Sequence, residues 1–420
     1  MNVAWVQQTF ESMVRVEKSG LRLGKGQILQ GTVKQLYPNN LATIQYGSIP
    51  VNARLEVGLV RDRTYWFEVA STGGIPKLKV LNSSQSATSQ ALPGSSEALV
   101  NEWRLQKSGV EDKLLRMFTA SGVPFSRSHI IEGASLFHNS PYPEKTTVHT
   151  LSHMAQNQLP FTKETFMSLA VLDGGGSTGH SLEQLLTALK GQPEHASLVQ
   201  SLEKAFTGMS ESNGRPIFPP PLHTFLSSLG LLYERNLQQK GAGGETAENL
   251  KARLLQFLGE KGITEEQRGL ARSLVHRLTG MQLLNIDNNH SLHHHLFYIP
   301  VKFGDLTQNV TIQWEGRKNE EGGWDSNHCR ILFYLELEGL KETIADVHIQ
   351  QRIVTLTLFN QFPEPVTALE KFKPLLEAAL LKGDYRLSSV HWKQPDDHNR
   401  ETKRTIPQKK GFHKGIDIRV

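Results

Sequence analysis

Residues 329–392 read CRILFYLELEGLKETIADVHIQQRIVTLTLFNQFPEPVTALEKFKPLLEAALLKGDYRLSSVHW, and their spacing decides the fold at this end of the chain. Ile331, Phe333, Leu335 and Leu337 alternate along one face of a run that ends at Gly339. Ala345, Val347 and Ile349 alternate in the next run, and Val354, Leu356 and Leu358 in the third. Successive side chains leave a strand on opposite sides, so this period of two marks strands with one buried face. A helical run follows from Val366 to Leu381, in which Pro374 is expected to kink or divide the helix. Gly383 ends it and a short strand from Tyr385 to Trp392 closes the module. Upstream, Phe297–Val301 and Val310–Trp314 add strands, while the charged, Gly-rich stretch from Gly316 to Asp325 reads as an exposed hairpin loop. Residues 284–393 are therefore expected to form an α+β domain, a β-rich sheet with one packed helix.

Working outward, the rest of the chain has a different texture. Residues 1–20 carry Val3, Val6, Phe10, Met13 and Val14 at helical spacing, the pattern of an amphipathic helix. Residues 21–82 hold five short β-rich runs, Ile28–Leu36, Leu41–Tyr46, Ile49–Leu55, Thr64–Val69 and Pro76–Leu81. Turn residues punctuate them at Pro38-Asn39-Asn40, Gly47, Gly58 and Gly73-Gly74, so a small OB-like or SH3-like barrel is expected. Residues 83–97, rich in Ser, Gln and Ala, read as a linker. Residues 98–283 read as helical, with a weak repeat in which Val123-Pro124-Phe125-Ser126 recurs as Leu159-Pro160-Phe161-Thr162. Ser126 and Thr162 are predicted N-caps, and Thr264 with Gln267 a capping box. Helices are expected at about 246–260 and 264–279. The fold class is thus multidomain: a small N-terminal β-barrel, an all-α middle region and a C-terminal α+β domain.

Composition excludes several classes. The chain has 420 residues, 38% of them hydrophobic, and no run nears the roughly 18 apolar residues of a membrane span. Glu11 and Glu17 interrupt any secretory h-region, so a cytoplasmic protein is expected. One cysteine, Cys329, rules out an internal disulfide or a Cys-based zinc site and reads as an apolar filler entering a strand. The net charge is +5, and nearly all of it falls from Lys393 onward, where eight Lys and Arg face four acids. Residues 394–420 are thus a basic tail with too little apolar surface to fold alone, and Lys403, Arg404, Lys409, Lys410 and Arg419 are its candidate partner-binding cations.

Chemistry-bearing motifs are weak. The run from Asp173 to Gly179 lacks the Lys and spacing of a P-loop and reads as an interhelix loop. His290, His293, His294 and His295 resemble a metal cluster, but neighbours on an extended segment point to alternate faces, so an exposed polar loop is the simpler reading. Glu336 and Glu338 fall on the solvent face of a strand rather than in a dry cleft. No catalytic residue, metal ligand or cofactor site is expected. Tyr37, Tyr65, Trp66 and Phe67 in the barrel are candidate base-stacking residues, with the basic tail supplying charge and Phe412 its one aromatic. Trp66 and Phe67 point to opposite faces, so at least one belongs to the core.

Three segments, LFYLELEGLKETIADVHI (332–349), VTLTLF (354–359) and GDYRLSSV (383–390), resemble the C-terminal domain of flagellar hook-length control (FliK-like) proteins. Gly383, Tyr385, Leu387 and Val390 match the family's closing strand, although Gly339-Leu340 inverts its usual Leu-Gly order. GVPFS (122–126), QLPFT (158–162) and LTGMQLL (278–284) look like segments of cytosolic Firmicutes relatives. The resemblance implies a non-enzymatic adaptor of flagellar type III export whose C-terminal domain acts on the cytoplasmic domain of an FlhB-like gate protein. The alternative is a nucleic-acid-binding protein that uses barrel and tail.

Overall fold

A computed structural model describes residues 23–47, 49–72, 75–81, 96–105, 109–174, 177–212, 215–217, 222–231, 249–285, 293–303, 306–318 and 324–394. The helix expected over residues 1–20, nearly all of the expected 83–97 linker, the tip of the expected 316–325 loop and the residues from 395 onward lie outside these residues.

Five strands, β1 Ile28–Tyr37, β2 Leu41–Tyr46, β3 Ile49–Leu55, β4 Thr64–Ser71 and β5 Lys77–Leu81, close into a barrel of order β1-β2-β3-β5-β4. Inward residues at alternate positions, among them Val33, Ile44, Phe67, Val69 and Leu78, make its core. The three-residue β1–β2 connection, Pro38-Asn39-Asn40, places Asn39 (φ 62°) and Asn40 (φ 61°) in the left-handed region, which asparagine tolerates. Gly31 sits where a Cβ would lie 2.3 Å from the Ile44 methyl, so the barrel wall closes only over a bare backbone.

The helices that follow are α1 Ser96–Trp103, α2 Val110–Ala120, α3 Arg127–His138, α4 Glu144–Gln156 and α5 Lys163–Asp173. Ser126 accepts from the His129 backbone N–H at 3.2 Å and Thr162 from that of Thr165 at 3.2 Å, so both predicted N-caps form. Further on come α6 Thr178–Leu189, α7 Ala196–Lys204, α8 Leu222–Leu229, α9 Leu250–Gly259 and α10 Glu265–Leu284. The capping box ahead of α10 is complete: Gln267 N–H donates to Thr264 Oγ1 at 3.1 Å, and Thr264 N–H to Gln267 Oε1 at 3.0 Å. Two short strands interrupt this otherwise helical region, β6 Thr207–Ser212 and β7 Arg215–Ile217.

The C-terminal sheet adds β8 His293–Phe303, β9 Leu306–Lys318, β10 Trp324–Leu337, β11 Lys341–Gln350, β12 Ile353–Asn360 and β13 Arg386–Lys393, with α11 Val366–Lys382 between the last two. Its order is β13-β12-β11-β10-β9-β8-β6-β7. Strands β8 to β12 form an antiparallel meander, whereas β13 pairs parallel to β12 and β6 parallel to β8. α11 is the crossover that a parallel neighbour demands. It runs unbroken through Pro374, so the proline does not divide it; Pro374 is solvent-exposed, and the carbonyl it leaves without an N–H partner can meet water.

The chain forms two compact units. One contains the barrel, α1–α5 and residues 251–283; the other contains residues 177–229 and the sheet from residue 284 onward. In the first, Ile28 and Phe125 exchange backbone hydrogen bonds at 2.6 and 3.2 Å, tying the first barrel strand to the segment that enters α3. α5 and α10 cross so closely that a Cβ on Gly280 would lie 2.0 Å from the Ser168 carbonyl oxygen. In the second, α6 buries Leu182, Leu185 and Leu189 and packs against β8 and β9.

Candidate interaction surface

The candidate residues of the sequence scatter. Lys403, Arg404, Lys409, Lys410 and Arg419 lie outside the described residues, as does His290. His295 is a buried strand residue of β8, its ring stacked 6.2 Å from Phe297 and tilted 6.0 Å from Trp314. Among the described residues no group of three or more His, Cys, Asp or Glu could hold a metal ion. Asp173 ends α5, Gly174 caps it, and Ser177 accepts from His180 N–H at 3.1 Å to start α6, which makes 173–179 a helix-to-helix connection. Glu336 is exposed at the end of β10, and Glu338 sits in the turn beyond it. Burial pushes the Cys329 thiol up.

Both central barrel aromatics are core. Phe67 points into the barrel, and Trp66 points out of it but is covered by Phe125, edge-on at 5.9 Å. Trp103 and Phe118 pack on the same Phe125 ring at 6.2 and 5.9 Å. Tyr37 is exposed and Tyr65 half-buried. Of the four candidate stacking residues, Trp66 and Phe67 are therefore inside the protein, and Tyr37 and Tyr65 reach its surface.

What remains at the surface is apolar and concentrated. Thirteen large hydrophobic side chains stay exposed among the described residues, and six of these, Ile353, Phe362, Val366, Phe372, Leu375 and Leu381, fall in the stretch from β12 to the end of α11. No residue of α11 is buried. Leu369, Leu376 and Leu380 are half-buried on one side of the helix, whose main packing partner is β13. Phe372 (58% exposed) and Leu375 (63%) run along another side, with Ala368 and Ala379 continuing the row at the alternating four- and three-residue steps of a coiled-coil seam. The Lys371 ammonium leans over the Phe372 ring at 5.9 Å.

Local chemistry fixes how α11 gives way to β13. Gly383 caps the helix, Asp384 takes a left-handed φ of 63°, and Tyr385 N–H donates to Leu380 O at 2.9 Å. Arg352 in the β11–β12 turn pairs with Asp384 at 2.7 Å and lies over the Tyr385 ring at 5.6 Å. At the other end of β12, buried Asn360 donates to Leu340 O, Glu342 O and Thr343 Oγ1 and accepts from Phe362 N–H at 2.8 Å, which sets the chain's exit toward α11. Sequence reasoning missed this residue; its only local signal was an Asn two residues before an aromatic, an Asx-turn spacing.

Across the meander, Arg330 holds Asp346 in a fork of 2.9 and 2.8 Å, and His348 approaches the same carboxylate at 3.3 Å. Burial raises the Asp346 carboxyl, but the hydrogen bonds from His348 and Arg330 outweigh it and hold the group at about 2. This cluster is a fully partnered cross-strand clasp, and it follows from the register Arg330↔His348 and Leu332↔Asp346.

The fold and surface thus define a multidomain chain with a closed barrel, a helical middle region and a sheet domain that bares an apolar helix. The uncharacterized protein YlqG of Bacillus subtilis (strain 168) is 31% identical to this chain over 147 residues, which cover 35% of this chain and 25% of that protein. The chain therefore spans about a quarter of the length of the curated relative it matches. No family model matches the chain, and no solved structure does. Among the described residues no helix is long and apolar enough to cross a membrane.

Proposed function

We propose that this chain is a non-enzymatic adaptor whose C-terminal sheet domain docks a protein partner through α11. The observation that carries the reading is that a leucine-rich helix buries none of its residues while Val366, Phe372, Leu375 and Leu381 stay more than half exposed. Phe372 and Leu375 share one side of the helix, and fully burying one such side chain stabilises by about 1.5–3 kcal/mol, so covering the remaining half of these two contributes roughly 1.5–3 kcal/mol to association. Exposed patches of this kind mark interaction sites. The resemblance of residues 332–390 to flagellar hook-length control proteins supports an FlhB-like cytoplasmic domain of a type III export apparatus as the partner, and a cytoplasmic location with it. The nucleic-acid reading loses support because Trp66 and Phe67 are unavailable for stacking.

The test is a titration of the full chain against an FlhB-like cytoplasmic domain. Micromolar binding is expected, and Phe372→Ser with Leu375→Ser should weaken it at least about tenfold, or 1.4 kcal/mol, while circular dichroism stays unchanged. Absence of binding at micromolar protein would sink the partner assignment.

A further inference from the structure

The barrel carries an exposed surface of a different kind from α11. Its strand order, with β3 antiparallel to β2 and parallel to β5, is that of OB-type barrels, which take oligonucleotides or oligosaccharides across the β2–β3 wall. Such a fold supplies a platform, and the residues on it decide the ligand. Trp66 and Phe67 belong to β4, so their burial leaves the wall of β1–β3 untouched. Two rungs cross the outside of that wall. Gln35, Thr43 and Asn52 stand opposite one another on β1, β2 and β3, and Tyr37, Leu41, Arg54 and Lys77 on β1, β2, β3 and β5. Gln35, Tyr37, Asn52, Arg54 and Lys77 are exposed. Tyr37 OH donates to Gln35 Oε1 at 2.8 Å and lies 3.5 Å from Thr43 Oγ1. Thr43 is short, so this contact lays the ring along the wall and turns its other face to water. Thr43 in turn donates to Asn52 Oδ1 at 2.8 Å. Gln35 and Asn52 thus spend their amide oxygens within the row and keep their N–H donors for a ligand. An open hollow of about 330 Å³, apolar on Pro50, Val51 and Pro76, adjoins Asn52.

Charge on this wall has one sign. Residues 23–55 contain Lys25, Lys34 and Arg54 and no Asp or Glu; the first acid, Glu56, lies past the end of β3. Lys34 pairs with Asp62 at 3.5 Å, whereas Arg54 and Lys77 form no ion pair among the described residues. These two are direct cross-strand neighbours. Like charges so placed are destabilising, and a bound anion relieves them. A single-stranded nucleic acid offers a match for each feature: a base for the flat tyrosine, base edges for the amide donors and phosphates for the cations. We infer that the outer wall of β1–β3 binds single-stranded nucleic acid, with a base stacked on Tyr37 and phosphates held by Arg54 and Lys77. Gln35 and Asn52 meet the base edges. The charge favours this ligand over an oligosaccharide, which would use the aromatic and the amides but not the cation pair. The site does not depend on α11 or on a partner bound there.

The experiment is fluorescence anisotropy of the full chain with labelled oligo-dT and oligo-U, each about a dozen nucleotides long, the span of one barrel site. The titrations run from about 50 to about 200 mM salt. Micromolar binding of either probe is expected. Tyr37→Ala should weaken it at least about fivefold, the loss of one stacked base, and Tyr37→Phe, which keeps the ring, should bind as the unaltered chain does. Arg54→Gln with Lys77→Gln should flatten the slope of log affinity against log salt by about 1.4, two phosphate contacts at about 0.7 each. All three positions are exposed, so circular dichroism should stay unchanged. No binding at micromolar protein overturns the proposal. So does binding that survives both sets of substitutions, which assigns the probe to other cations of the chain. Tyr37→Phe as weak as Tyr37→Ala overturns the stacking role. A neutral oligosaccharide that binds instead, lost on Tyr37→Ala and indifferent to salt, also overturns the proposal and makes the wall a sugar site.

Discussion

Replacing Phe125 with alanine is expected to weaken the barrel and the helices of its unit together. The ring is 1% exposed and touches Trp66 of β4, Trp103 of α1 and Phe118 of α2, while its backbone pairs with Ile28 of β1. Removing a buried phenylalanine costs about 3–5 kcal/mol, part of it transfer and part the cavity left behind. Phe125 sits where three aromatics converge, and a rigid strand flanks it, so little collapse is available and the cost should fall near 4 kcal/mol. Against a typical domain stability of about 5–15 kcal/mol this is a large fraction. With a urea slope of about 2–3 kcal/mol per molar, the midpoint should fall by about 1.3–2 M. The assay is urea unfolding followed by hydrogen exchange in peptides from β1–β5 and from α1–α3. Both sets should shift together. A loss below about 1 kcal/mol, or a shift in the helices with the barrel unmoved, would show that Phe125 does not join them.

Three further outcomes follow from single contacts. Gly280→Ala puts a methyl into the Ser168 carbonyl across α5 and α10 and should cost about 1–3 kcal/mol in thermal unfolding, whereas Gly269→Ala, with nothing within 4 Å on the same helix, should be neutral or stabilising. Burial, with His149 adding to it and Asp173 opposing, lowers His153 to about 4. Its unfolded value is near 6.5, so between pH 6.5 and 4 the unfolded chain binds a proton that the folded one refuses, and stability falls as pH falls through that window. Because the side chain is partly exposed, the loss should be on the order of 2 kcal/mol, and His153→Gln should flatten the slope; an unchanged slope would refute the assignment. Asn360→Leu removes the donor to Leu340 O, Glu342 O and the buried Thr343 Oγ1 and should cost about 1–3 kcal/mol, measured by chemical unfolding, because the buried hydroxyl loses its partner while the two carbonyls nearer the surface turn to water.

Much of the local structure was legible in the sequence. The five barrel runs match the observed strands to within two residues because period-two alternation and turn residues act over neighbouring positions. Ser126, Thr162 and Thr264 announce their helices for the same reason: a cap is a contact three residues long. Less legible was what covers what. The alternation of Trp66 and Phe67 established that they face opposite ways, but only Phe125, brought in from the entry to α3, buries the outward one. β6 gave no strand signal, since its pairing with β8 joins residues far apart in the chain.

The stretch from Cys329 to Trp392 shows the same division. Its sequence alone determined three strands, a helix and a closing strand, because spacing, Gly383 and the caps are local properties of the chain. Tertiary structure decided that β13 ends the sheet order among the described residues, that α11 leaves Phe372 and Leu375 uncovered, and that Arg330 finds Asp346. Exposure is set by the neighbours that sheet register and crossover bring to a side chain, and no periodicity along the chain records which of those neighbours arrive.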